Sequence, residues 1–258
     1  MTLNNYQLYK TVMMKRIVPF LILVVLFCLG CTSGSKTSEG NENNVDTVRV
    51  VKRETFVVPR QELIDAYNQI YENVVMKSLQ AELEGKALRD SMMNGVETLK
   101  TIVEQEPLYS FAHTLLIQFQ YALKQYDEMF ATLDKAEKAL YDDPNVPALR
   151  ACILVDMGRD AEADEYFRKA IAIEERFLEK GVDINRNINI CSLKAFLDST
   201  YSFKEGMKAV LNNPQYNKAE KEMLAPFVEA IEADEESHFD RQEVARSAIG
   251  VDLYQLEE

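Results

Sequence analysis

Chemistry on a substrate needs a nucleophile, a base or a metal held at fixed geometry, and few residues here can supply one. The chain has two histidines, His113 and His238, far apart in sequence. His238 follows Asp234-Glu235-Glu236, a grouping that suggests a metal but reads better as the solvated end of an acidic helix. Cys152 and Cys191 are single cysteines in apolar stretches. In an oxidising compartment they can pair if their Cα atoms lie within about 7 Å; the reading we adopt is two buried free thiols. There is no His-Glu-x-x-His, no two-fold Cys-x-x-Cys and no calcium-loop spacing. Gly30 to Thr37 looks like a phosphate-binding loop, but Ser35 stands where a glycine must precede the lysine for backbone N–H groups to wrap phosphates. We therefore expect no catalytic residues, no metal, no cofactor and no enzyme.

Composition narrows the partners. The formal net charge is −13, and Lys10, Lys15 and Arg16 are the only charged side chains of the first thirty residues, so the remainder is more acidic still. Such a body repels nucleic acid and anionic headgroups. Glycine is scarce, at 9 of 258 residues, while Ala, Leu, Glu and Lys are plentiful, which favours helix.

The N-terminus reads as an address. Lys15-Arg16 precede an unbroken apolar run, Ile17 to Leu29, too short to span a bilayer comfortably but long enough for a signal-peptide core. The run ends in Cys28-Leu29-Gly30-Cys31, which resembles the lipobox of bacterial lipoproteins, although Cys28 departs from the usual Leu or Val. The resemblance implies cleavage after Gly30 and acylation of Cys31, with palmitate among the fatty acids carried. Residues 1–30 are thus expected as a signal peptide, with Met13 or Met14 as its start. Two acyl chains suffice for stable attachment, each buried CH₂ adding about 0.8 kcal/mol. Residues 31–44 form a flexible tether, reaching roughly 20 Å on average. Thr32 rather than Asp follows the cysteine, and no acid precedes Glu39; these features favour an outer-membrane protein facing the periplasm.

Residues 45–59 are rich in β-branched side chains and end at Pro59, which predicts a short extended lead-in. Asp46-Thr47-Val48 and Asp198-Ser199-Thr200 resemble an O-glycosylation sequon used on exported bacterial proteins, making Thr47 the better candidate.

From residue 60 onward apolar side chains recur at helical spacing. Leu63, Tyr67, Ile70 and Val74 predict a helix to about Leu83, and Met92, Val96, Leu99 and Val103 a second that stops near Pro107. Further helices are expected over Tyr109–Leu123, Asp127–Tyr141, Ala148–Met157 and from Asp160 to about Gly181. Beyond it come Ile184–Ser199, Thr200–Leu211, Asn217–Glu236 and Phe239–Ile249, with the last residues fraying. Between Ser110 and Ile173 there is a 34-residue period: Glu128, Lys135 and Ala136 recur as Glu162, Lys169 and Ala170, and Leu133 and Ala139 as Phe167 and Ile173. A fixed period of that length means stacked helical hairpins.

These residues resemble the tetratricopeptide repeat, whose second helix carries a small residue, an aromatic four later and a proline eight further on. Ala163 and Phe167 fit with Glu175 at the proline site; Gly95, Leu99 and Pro107 fit, with Leu99 as the large apolar residue; Met129, Leu133 and Tyr141 fit loosely. The first-helix pattern departs: His113 and Pro147 stand at the Trp position, and Gln120 and Leu154 at the Tyr position. The resemblance covers 76–177 and implies an all-α fold, a tetratricopeptide-like α-solenoid over 60–258, with the short extended N-terminal segment before it. It also implies a peptide groove along the first helices, here carrying Phe111, Thr114, Gln118, Tyr121, Asn145 and Asp156. The Lys and Asn that clamp a terminal carboxylate in one subgroup are absent. The expected function is a lipid-anchored envelope scaffold that binds a protein or peptide. The alternative is an accessory lipoprotein subunit of a transport or glycan-uptake system.

Overall fold

The computed structural model describes residues 59–181, 183–198, 201–219, 221–222, 225, 240–250, 254 and 256. The signal peptide, Cys31, the tether, Thr47, Ser199, His238 and most of the helix expected over 217–236 lie outside the described residues. Within them the chain is helical and contains no strand. The described residues divide into two compact units, 59–163 with those from 245 onward, and 164–244.

The first unit is built from hairpins. Helix α1 (Gln61–Ile70) widens into a π-helical stretch, Tyr71–Met76, and closes with a last α turn, Lys77–Leu79. It stops short of Leu83 because the chain turns through Ala81, a non-glycine residue at φ 55°. Gly85, at φ 52°, opens α2 (Gly85–Gln105). There follow α3 (Ser110–Ala122), α4 (Tyr126–Ala139), α5 (Asn145–Asp156) and the start of α6 (Asp160–Leu178). Helix α5 begins three residues before the expected Ala148. Pro147 sits in its first turn, where its missing N–H has no intrahelical partner to lose, and the Asp143 carboxylate accepts the Asn145 N–H at 3.0 Å.

The apolar spacing of α2 puts Leu88, Met92, Leu99 and Ile102 in the core, none more than 1% exposed. Helix α2 packs on both α1 and α3, and α3 packs on α4. Gly95 permits a close approach: a Cβ there would stand 2.9 Å from Phe119 Cε2 and 3.3 Å from Ile70 Cγ2. The small residue read from the sequence has a steric reason.

The 34-residue period is also a period of geometry. Leu123, Lys124 and Gln125 donate to Phe119, Tyr121 and Gln120 carbonyls, while Met157, Gly158 and Arg159 donate to Ile153, Val155 and Leu154. The two sets are the same turn, offset by 34. Lys124 at φ 60° and Gly158 at φ 72° take the left-handed position in each, where a non-glycine residue is strained.

In the second unit, α7 (Ile184–Leu197) follows the rest of α6, and α8 (Phe203–Asn212) packs on it. The Asp183 carboxylate caps α7, accepting from Asn185 and Arg186 N–H groups, in the manner of a standard N-cap. Phe167 stacks on Phe196 with centroids 4.5 Å apart. Glu174, 1% exposed, accepts from Arg186 at 2.6 Å and Asn189 at 2.9 Å. A final helix, α9 (Arg241–Ile249), begins in the second unit and ends in the first. Cys152 and Cys191 are buried thiols outside any disulfide among the described residues; burial raises the Cys191 thiol pKa despite a hydrogen bond from Tyr201.

Candidate functional site

The six candidate groove residues divide by position along the helices. Phe111 lies near the start of α3 and Asn145 at the start of α5, while Tyr121 and Asp156 lie at the opposite ends of the same two helices. The rise of an α-helix separates the two sets by about 15 Å. Thr114 and Gln118 sit half-buried between Phe111 and Tyr121, and Asn145 is half-buried too.

Tyr121 and Asp156 meet. The Tyr121 hydroxyl donates to the Asp156 carboxylate, and its ring stands edge-on to Tyr126 at 5.8 Å. Burial first, and then the carboxylate, push the phenol pKa far above its usual value. A third partner was not read from the sequence: Arg246 of α9 reaches Asp156 Oδ1 at 3.1 Å. Tyr254, 6% exposed, stands edge-on to Phe119 at 5.6 Å, and Leu256 packs against the same core cluster. The fraying expected of the last residues is therefore wrong for Leu256. Burying a tyrosine and a leucine on the core outweighs the freedom of a loose end. One part of the candidate groove, at Asp156, is thus already occupied by Arg246 of the chain's own α9.

Phe111 belongs to an open patch. Its ring lies 6.4 Å from Tyr67 and 6.2 Å from Tyr109; Tyr67 in turn lies 5.4 Å from Tyr109 and 6.2 Å from Tyr71. Phe111, Tyr71 and the nearby Leu108 are each about two-fifths exposed. Four linked rings, on α1 and its π-helical stretch, on α3 and in the turn that leads into α3, make an apolar surface with phenolic hydroxyls on it. The sequence placed Phe111 in a groove but missed Tyr67 and Tyr71, whose helical spacing reads as core. Burial took one side of each ring and left the other.

His113 is buried, 3% exposed, and its Nε2 pairs with the Pro107 carbonyl at 3.0 Å. Burial lowers its pKa, more than that carbonyl raises it, and nearby Lys135 lowers it further. The neutral ring therefore carries its proton on Nε2. Among the described residues no three His, Cys, Asp or Glu side chains converge as a metal site, and no helix is long and apolar enough to cross a membrane.

The chain matches no family model, no curated protein and no solved structure.

Proposed function

We propose that the protein is a scaffold of the bacterial cell envelope, lipid-anchored at Cys31, that uses tetratricopeptide-like helical hairpins to hold a protein or peptide partner at the outer membrane, facing the periplasm. The observation that carries this reading is the patch of Tyr67, Tyr71, Tyr109 and Phe111. Exposed aromatics on a rigid support are the residues that anchor interfaces. The 34-residue repeat in both sequence and turn geometry supports the repeat architecture, and the acidic charge supports a partner other than nucleic acid. The role is binding, not catalysis.

Two measurements test it. A photo-crosslinking amino acid at Phe111 should capture an envelope protein in native membranes, while one at Tyr141, 66% exposed and distant in sequence, should not. Replacing Cys31→Ala should abolish palmitate labelling and membrane partitioning; a labelled variant would end the lipoprotein reading.

The same patch favours a second reading, an accessory lipoprotein subunit of a transport or glycan-uptake system, since flat exposed rings suit the C–H face of a sugar. The chain has no Trp, so no indole masks tyrosine emission, and the difference between wild type and Tyr71→Ala isolates the share of the patch. Quenching or enhancement on titration with oligosaccharide, lost in Tyr71→Ala, would support the second reading over the first.

A further inference from the structure

A different face of α3 carries a site that the groove does not use. The helical period sets His113, Leu116 and Gln120 on the side away from Phe111, Thr114, Gln118 and Tyr121. There they form the floor of a cleft of about 410 Å³ between α2 and α4, within the range of small-ligand sites. His113 and Gln120 are 3% and 1% exposed, and His113 Nδ1 and Gln120 Oε1 each lack a hydrogen-bond partner in the protein. Since Nε2–H is committed to the Pro107 carbonyl, both orphaned atoms are acceptors. A buried acceptor without a donor is costly, and native interiors contain few of them.

The walls add charge of both signs. Helix α2 supplies Lys100 and Glu104, and α4 supplies Glu128 and Lys135; Lys100 also pairs with Glu97 at 2.9 Å on the surface. Lys135 lies close enough to His113 to lower its pKa. An anion brings no donor for the floor and meets two glutamates. A cation meets two lysines, and a neutral polyol makes no use of either sign. A ligand with N–H donors, one ammonium and one carboxylate uses every group. Seven residues along a helix set the Cα atoms of His113 and Gln120 about 10 Å apart, the span of roughly three extended residues.

We propose that this cleft binds a short zwitterionic peptide of about three residues, its ammonium and amide N–H donors directed at His113 Nδ1 and Gln120 Oε1 and its charged ends at the Lys and Glu walls. The site is separate from the aromatic patch and does not depend on the scaffold reading.

Trialanine titrated into the full-length chain, followed by the imidazole ¹⁵N resonances, tests it. The chain has only two histidines, and a His113→Gln spectrum assigns them. Binding should shift Nδ1 of His113 and leave His238 unmoved. Gln120→Leu should weaken binding about tenfold, the loss typical of one buried hydrogen bond. Should that core variant fail to fold, the exposed changes Glu128→Gln and Lys135→Gln serve instead, each weakening trialanine several-fold. A His113 resonance unmoved up to the solubility of trialanine overturns the proposal. So does equal affinity for N-acetyl-trialanine amide, which lacks both charges, or for acetate or glucose.

Discussion

The Tyr121 hydroxyl donates to one oxygen of the Asp156 carboxylate, and Arg246 takes the other at 3.1 Å. Tyr121 and Asp156 stand 35 residues apart, one repeat and one residue, so the bond ties together the matching ends of two successive first helices. Asp156→Ala leaves a buried phenol without its acceptor and should cost about 1–3 kcal/mol in urea unfolding. Tyr121→Phe in the same chain removes the orphaned hydroxyl and should recover part of that loss. Asp156→Asn keeps an acceptor for Tyr121 but loses the charge facing Arg246, so its cost should fall between wild type and Ala. Equal losses for Ala and Asn would mean that the Arg246 contact, not the phenol, carries the energy.

Gly95 gives a second test, because two effects oppose each other there. Alanine in a helix interior is favoured over glycine by about 1 kcal/mol. Against this, the new methyl would meet Phe119 Cε2 at 2.9 Å, and Phe119 is fully buried with Tyr254 against its ring. Overpacking a full core costs typically about 1–3 kcal/mol, so Gly95→Ala should destabilise the chain. Phe119→Leu introduced alongside Gly95→Ala frees space and should give a smaller loss than the two single changes added together. A stabilised Gly95→Ala variant would show that Phe119 moves aside freely.

These residues also mark how far the sequence could be read. The hairpins were legible because burial writes its period into α2 and α3, and because a turn that must place Lys124 and Gly158 alike repeats its surroundings. The termination at Ala81 was not legible, since nothing in its residue type announces a left-handed conformation. The groove was half legible. Periodicity located Tyr121 and Asp156 on first helices, but Arg246 is 90 residues from Asp156, and no local pattern encodes a contact at that range. The polar cleft was hidden for another reason. His113 and Gln120 were read as drifted packing positions of a repeat, and only the geometry shows that each buries an acceptor without a donor.

His113 should make stability depend on pH. Its folded pKa lies below the unfolded value of about 6.5, chiefly through burial and with Lys135 adding to it. The unfolded chain therefore binds the proton more readily than the folded one. The contribution is complete above the unfolded pKa and is lost as pH falls below it toward the folded pKa. Urea midpoints should decline on going from neutral pH to about pH 5, and His113→Gln should flatten that decline while lowering the midpoint at neutral pH. An unchanged slope in the variant would assign the loss to His238 or to carboxylates.

Glu174 tests what a buried ion pair contributes to the second unit. Its pKa is raised by burial, against the pull of Arg186 and Asn189, so the interior disfavours the very charge that the pair requires. Glu174→Ala strands the Asn189 amide and leaves Arg186 with the more distant Asp183 carboxylate at 3.6 Å, and breaking a buried pair from one side costs about 3–5 kcal/mol. Glu174→Gln keeps the shape and one acceptor oxygen, and Arg186 keeps its place 4.0 Å over the Phe177 ring. The Gln variant should thus lose much less than Ala, about 1–2 kcal/mol. Replacing both members, Glu174→Leu with Arg186→Met, should come closer to wild type than Glu174→Ala, because neither charge remains to be desolvated. A Gln variant as unstable as Ala would show that the ionic attraction, and not the hydrogen-bonded shape, holds α6 to α7.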